Sequence, residues 1–401
     1  MLLSVALIIL LSLILAQVFE KLKLPRMIGM LCAGILLGPY VLDLIDGSIL
    51  NISAELRQFS LIVILIRAGL SLDLNDLKKI GRPALLLSFV PALFEFIVIM
   101  LFGPMFFDIT LLEAAIIGSM VAAVSPAIIV PRMIKLMERG YGKKKPIPQL
   151  ILAGASIDDV FVIILFSSLI QSYQTNSFSI QDLLFIPISL ILGIGLGALM
   201  GFILLKLFKK FHMRDTIKVL LIFSTGFLLV SLENYLKDIV LISGLVSVMV
   251  LGGTILNQYE ILAHRLVHKF EKIWVVAEIM LFVLVGAVLD IRVIPSVGLF
   301  AIILVLLGLI GRMLGVMSSL IKTPFKQKEK LFVGISYIPK ATVQAAIGAI
   351  PLSLGFVHGQ LMLSIAVLSI VITAPIGAFL MDLSYTKLLE RPIIDAKLMD
   401  S

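Results

Sequence analysis

Thirteen apolar runs, each long enough to cross about 30 Å of hydrocarbon, govern what this chain can fold into. They cover 2–19, 27–43, 56–72, 84–106, 110–133, 148–171, 180–206, 217–235, 239–256, 271–289, 294–321, 329–354 and 360–384. In lipid a spanning segment must satisfy its own backbone N–H and C=O groups, so runs of this length predict helices. The expected fold is an all-α polytopic membrane protein with about 13 transmembrane helices. Composition agrees, with 60% apolar and only 14% charged residues, against about 25% charged in soluble domains. Leu2 to Leu15 has no basic residue before it and no small-residue cleavage site after it, which reads as a retained helix rather than a signal peptide. The single cysteine, Cys32, excludes a disulfide framework or a Cys-based metal site.

The basic residues test this count. Of 33 lysines and arginines, 27 fall in alternate loops, from Lys21, Lys23 and Arg26 through to Lys387, Arg391 and Lys397. The opposite loops hold only Arg57, Lys237 and Arg292, while Arg67, Arg312 and Lys340 lie within the spans. Positive-inside logic then places the C-terminus in the cytoplasm and the N-terminus outside. The net charge of +8 is explained by topology, and no nucleic-acid partner is expected.

An internal repeat follows. Gly69-Leu70-Ser71-Leu72-Asp73 returns as Gly286-Ala287-Val288-Leu289-Asp290, 217 residues on. Pro126 with Val130 returns as Pro339 with Val343, 213 residues on. Spans one to six would match spans eight to thirteen. Seven crossings separate matching spans, so the two six-helix repeats must be inverted, which is a secondary-transporter architecture. The matching fifth and twelfth spans are both interrupted, at Val124-Ser125-Pro126-Ala127 and at Pro339-Lys340-Ala341-Thr342-Val343-Gln344. A mid-span proline frees backbone carbonyls that a membrane tolerates only against protein or a hydrated cavity.

Within the sixth run stands Ala153-Gly154-Ala155-Ser156-Ile157-Asp158-Asp159. Each carboxylate at membrane depth costs at least a few kcal/mol unless paired, protonated or bound to a cation. As helix neighbours the two side chains diverge by about 100°, so they cannot share one partner. Oxygens of Ser125 and Ser156 are further candidate ligands for a small cation. Arg312 stays protonated and is expected to pair with Glu95 or Asp158. Lys340 reads as compensation for the broken helix or as a contact of Asp158, with Thr342 and Gln344 satisfying opened backbone groups. Glu113, His264, His268 and His358 read as solvated ends and loops, and Glu278 as a buried acid with no evident partner.

These motifs together resemble those of the monovalent cation/proton antiporters, in the two-aspartate branch that contains sodium/proton antiporters. The resemblance implies two broken helices crossing beside the acids, with cation and proton competing at Asp159 and Asp158 in support. It implies a homodimer in membrane lipid, with dimerisation segments at 1–72 and 217–289, core transport segments at 84–171 and 294–384, a linker helix at 180–206 and a cytoplasmic tail at 385–401. It further implies exchange of Na⁺ or Li⁺ for H⁺, no cofactor and no enzymatic activity, in a bacterial inner membrane. Arg312 stands where many electrogenic relatives have a lysine, which opens the proton stoichiometry. The alternatives are a sodium-coupled organic-anion symporter, whose substrate the acid pair would repel, and an intramembrane aspartyl protease, which needs aspartates facing one another.

Overall fold

Each of the thirteen apolar runs contains helix. The computed structural model describes residues 1–71, 81–141, 145–174, 180–211, 213–236 and 242–390, with the side chains of 156, 160, 180–187, 189, 190 and 234 excepted. The helices are α1 (Leu2–Lys21), α2 (Arg26–Leu37), α3 (Gly47–Asn51), α4 (Ser53–Ser71), α5 (Arg82–Leu87), α6 (Val90–Phe106), α7 (Leu111–Val121), α8 (Pro126–Glu138) and α9 (Ile147–Gln174). They continue as α10 (Ile180–Lys210), α11 (Asp215–Leu236), α12 (Gly244–Gln258), α13 (Glu260–Ala287), α14 (Ile294–Ser319), α15 (Gln327–Ser336), α16 (Thr342–Gly348), α17 (Ile350–Ser353) and α18 (Gly359–Leu388). Among the described residues there is no strand. Among the described residues eight spans are long and apolar enough to cross a membrane, and Arg26–Leu37, Gly244–Gln258 and Thr342–Ser353 are shorter apolar helices. The architecture is therefore all-helical and polytopic.

Two packing neighbourhoods position the site. In one, α2 packs on α1 and α13, and α4 packs on α12 and α13, with α10 lying along α12. In the other, α6 packs on α7 and α14, α9 on α7 and α8, and α18 against α14 to α17. The α6–α14 contact is close because Gly311 and Gly315 of α14 meet the backbone of Phe94 and Pro91. That approach brings Glu95 and Arg312, 217 residues apart, into the same plane of the bundle.

The fifth and twelfth runs are broken. After Val121 the helix stops, and it restarts at Pro126, the first residue of α8. Proline is suited to that position because it lacks the N–H that a first turn leaves unpaired. The second break runs from the end of α15 at Ser336 to the start of α16 at Thr342. The interruptions touch: Ser125 N–H donates to the carbonyl of Pro339 at 2.8 Å.

Several charges outside the centre depart from the sequence reading. Glu113 is not a solvated helix end. It is 3% exposed, forms a reciprocal cap with Thr110, and lies 2.8 Å from Nδ1 of His358, which is therefore no free loop histidine. Arg67, placed within a span by the sequence, pairs with Glu271 at 3.5 Å. At the end bearing the basic loops, Lys145 bridges Glu329 at 2.8 Å and Glu390 at 3.4 Å, and Lys326 holds Glu390 at 2.9 Å. These contacts fasten the chain before α9 to the start of α15 and the end of α18.

Candidate ion-binding site

Helix α9 runs unbroken past the first interruption and carries both aspartates at mid-length. Its approach to α15 requires Gly154, since a Cβ there would collide with the Tyr337 hydroxyl. The rotation between neighbouring residues sends the two carboxylates to different surroundings.

Asp158 is fully buried and tied down. Its Oδ2 accepts from Arg312 Nη2 at 2.8 Å and from the Val124 N–H at 2.8 Å. Val124 lies just before α8, so the positive end of that half-helix faces the carboxylate. Arg312, 1% exposed, also donates through Nη1 to Glu95 Oε2 at 2.9 Å and to the carbonyl of Ala122. Its guanidinium lies over the Tyr337 ring, 5.4 Å from the centroid. One planar fork thus serves two carboxylates and a freed carbonyl, which a compact ammonium could not do.

Lys340 makes a different contact from either one the sequence suggested. Its Nζ is 2.8 Å from Glu95 Oε2, and its N–H donates to Thr373 Oγ1 at 3.0 Å. The open carbonyls at the end of α7 are instead met by Arg312, at Ala122, and by Gln344. Nε2 of Gln344 donates to Ala123 O at 2.8 Å and to Val121 O at 3.3 Å. Thr342 Oγ1 satisfies no backbone group; it is buried and unpartnered. Pro126 and Pro339 supply the break and the carbonyl that bridges the two interruptions.

Asp159 contrasts with Asp158. It makes no hydrogen bond or ion pair among the described residues, and its Oδ1 is buried. Two cations, Arg312 and Lys340, face three carboxylates, Glu95, Asp158 and Asp159, so one negative charge is uncompensated when all are ionised. On α9, the two interruptions and α16, the buried, unpartnered side-chain oxygens include Asp158 Oδ1, Ser125 Oγ, Tyr337 Oη and Gln344 Oε1. Hard cations take oxygen ligands of this kind. The side chain of Ser156 lies outside the described residues. Among those residues no cluster of three His, Cys, Asp or Glu side chains forms a resident metal centre.

The Glu95–Lys340 pair, the Val124 N–H and Tyr337 were missing from the sequence reading. Tyr337 was findable, since it lies inside the second interruption. The other two depend on contacts between segments remote in the chain.

A polytopic bundle with an uncompensated carboxylate at the meeting point of two interrupted helices defines a membrane ion carrier. The family profile described as "Sodium/hydrogen exchanger, transmembrane" matches residues 6–382, and the chain belongs to that family. It is 31% identical to human sodium/hydrogen exchanger 9B2 over 394 residues, covering 92% of this chain and 70% of the relative. It is 30% identical to sodium/hydrogen exchanger 9B1 of Macaca fascicularis, covering 92% and 74%. Its fold is similar to that of the sodium proton antiporter MjNhaP1 from Methanocaldococcus jannaschii, with a TM-score of 0.82 at 19% identity over 96% of this chain and 97% of that one.

Proposed function

We propose that Asp159 is the group on which this antiporter's exchange of Na⁺ for H⁺ turns. One observation carries the reading: of the two neighbouring aspartates, fully buried Asp158 is held by Arg312, while Asp159, partly buried, has no partner among the described residues. A buried lone carboxylate must be neutralised, and a proton or a small cation does so equally well electrostatically. Binding of one excludes the other, which couples their movements without any further group. Asp158 stays ion-paired and fixes the geometry, and Arg312, always charged, does not join the proton cycle. Ser125, Ser156 and opened backbone carbonyls complete the cation's oxygen shell, and Li⁺ is accepted as well as Na⁺. No cofactor is assigned.

The segments 84–171 and 294–384 carry this site as one body that moves against 1–72 and 217–289, with 180–206 as the linking helix and 385–401 as a tail. Segments 1–72 and 217–289 join two copies into a homodimer within membrane lipid. Concentration of basic residues at one end of the bundle supports a cytoplasmic C-terminus and an external N-terminus, as in a bacterial inner membrane. Nothing favours an organic-anion symporter or an aspartyl protease: the acids share one helix and only one of them is unpaired.

The test is exchange in proteoliposomes. An imposed Na⁺ gradient should drive proton movement, read by an internal pH dye, in the native protein and not in Asp159→Asn. Persistent exchange in that variant would remove Asp159 from the mechanism.

A further inference from the structure

A cavity of about 360 Å³ lies between α4, α9, α11, α12 and the α16–α17 pair, at the end of the bundle away from the basic loops. Its α9 wall includes Phe166, Ser167, Ile170 and Gln174. Around the helix axis the lining residues of α9 are spread from about 20° to 180° from Asp159, and all lie about 80° or more from Asp158. Ile164, the lining residue of α9 nearest the acids, is about 8 Å along the axis from Asp159. The cavity therefore lies on the side of α9 turned away from Asp158 and its ion pair.

Its walls differ in charge. The lining residues from α9, α16 and α17 are apolar groups, serines and glutamines, while the opposite wall contributes Glu55, Arg57 and Glu233. Glu233 of α11 accepts one hydrogen bond, from the Gly244 N–H to Oε2 at 3.0 Å, and no cation lies within 4 Å of it among the described residues. Arg57, 4% exposed, makes a single hydrogen bond of 3.1 Å to Ser53 Oγ. The two opposite charges line one cavity without pairing.

We propose that Glu233 is a cation-recruiting residue of the exchange reaction, concentrating Na⁺ in this cavity before the ion passes to Asp159, with Arg57 limiting the strength of that field. The inference rests on Asp159 as the exchange group. A carboxylate in a cleft with low-dielectric walls raises the local concentration of cations. One backbone hydrogen bond fixes the carboxylate's position at the cavity wall. Glu55, at the exposed rim, adds to the same field and is more strongly screened by salt.

Glu233→Gln keeps an oxygen for the Gly244 N–H and removes only the charge. In oriented vesicles, with Na⁺ presented from the cavity side, KM for Na⁺ should rise roughly three- to tenfold with kcat unchanged. The KM measured from the other side should stay as it was, and its dependence on ionic strength on the cavity side should weaken. Glu233→Asp should keep the native KM, and Arg57→Gln should lower it. An unchanged cavity-side KM in Glu233→Gln, or an equal change from both sides, overturns the inference. Should Arg57→Gln fail to fold, the Glu233 variants decide alone. Loss of exchange in Asp159→Asn alongside a native Glu233→Gln overturns only this inference; retained exchange in Asp159→Asn overturns the reading beneath it.

Discussion

Asp158 and Asp159 are adjacent in the chain but electrostatically unlike: Asp158 Oδ2 lies 2.8 Å from Arg312 Nη2, and Asp159 has no cation within 4 Å among the described residues. The helix turn of about 100° between them produces this difference. Opposite effects on stability are therefore expected.

Asp159→Asn should abolish exchange and raise thermal stability, because it deletes an uncompensated charge beside Asp158. Asp158→Asn should lower stability by about 3–5 kcal/mol, the usual result of removing one partner from a buried pair. Thermal unfolding in detergent, run beside the proteoliposome assay, checks both. Equal shifts in the same direction would contradict the division of roles.

Arg312→Ala strips Glu95 and Asp158 of a shared cation and Ala122 of its hydrogen bond. A loss of several kcal/mol is expected, with Arg312→Lys intermediate because an ammonium cannot span all three acceptors. Lys340→Gln should cost less than Arg312→Ala, since Glu95 retains Arg312. The double variant Glu95→Gln with Lys340→Gln should be more stable than the sum of the singles, a coupling that a double-mutant cycle measures.

Gly154→Ala should impair folding or exchange, because the added methyl meets the hydroxyl of Tyr337. That hydroxyl has no hydrogen-bond partner, so Tyr337→Phe alone should be near neutral in stability. Combined with Gly154→Ala, it should recover part of the loss. Failure of rescue would mean that the contact with Leu87 Cβ, at 3.0 Å, is what restricts the position.

The ionic cluster at the end bearing the basic loops has a defined pH window. The hydrogen bond from Lys326 holds the Glu390 carboxyl below its ordinary value of 4.5. A depressed acid contributes stability above its unfolded pKa and loses that contribution as pH falls through the folded value. The hydrogen bond to Glu329 raises Lys145 above its ordinary 10.5, so its contribution is complete below that value and is lost at higher pH. This cluster's share of thermal stability should be flat between about 4.5 and 10.5 and decline outside those limits. Glu390→Gln should flatten the acid limb of a thermal-shift profile. Both groups lie near the surface, so the effect should shrink in high salt.

Much of this protein is written in local pattern. Run length fixed which segments are helical, since backbone polarity in lipid allows little else. Pro126 and Pro339 marked both interruptions because proline removes a donor wherever it occurs. Asp158 and Asp159 announced the site by their cost at membrane depth. Glu113 and His358 misled, because a residue near a helix end reads as solvated until its partner, 245 positions away, is known.

By itself, then, the sequence determined the helices, their breaks, the acid pair and the family, each of which depends on neighbours in the chain or on transfer of single groups into lipid. Tertiary structure alone decided that Arg312 serves Glu95 and Asp158 together and also reaches Ala122, that Lys340 turns to Glu95, and which carbonyls Gln344 meets. Those outcomes depend on which side chains from segments 150 or more residues apart reach the same few ångströms. Electrostatic energy varies with that distance and with burial, and neither quantity is a property of any residue in isolation.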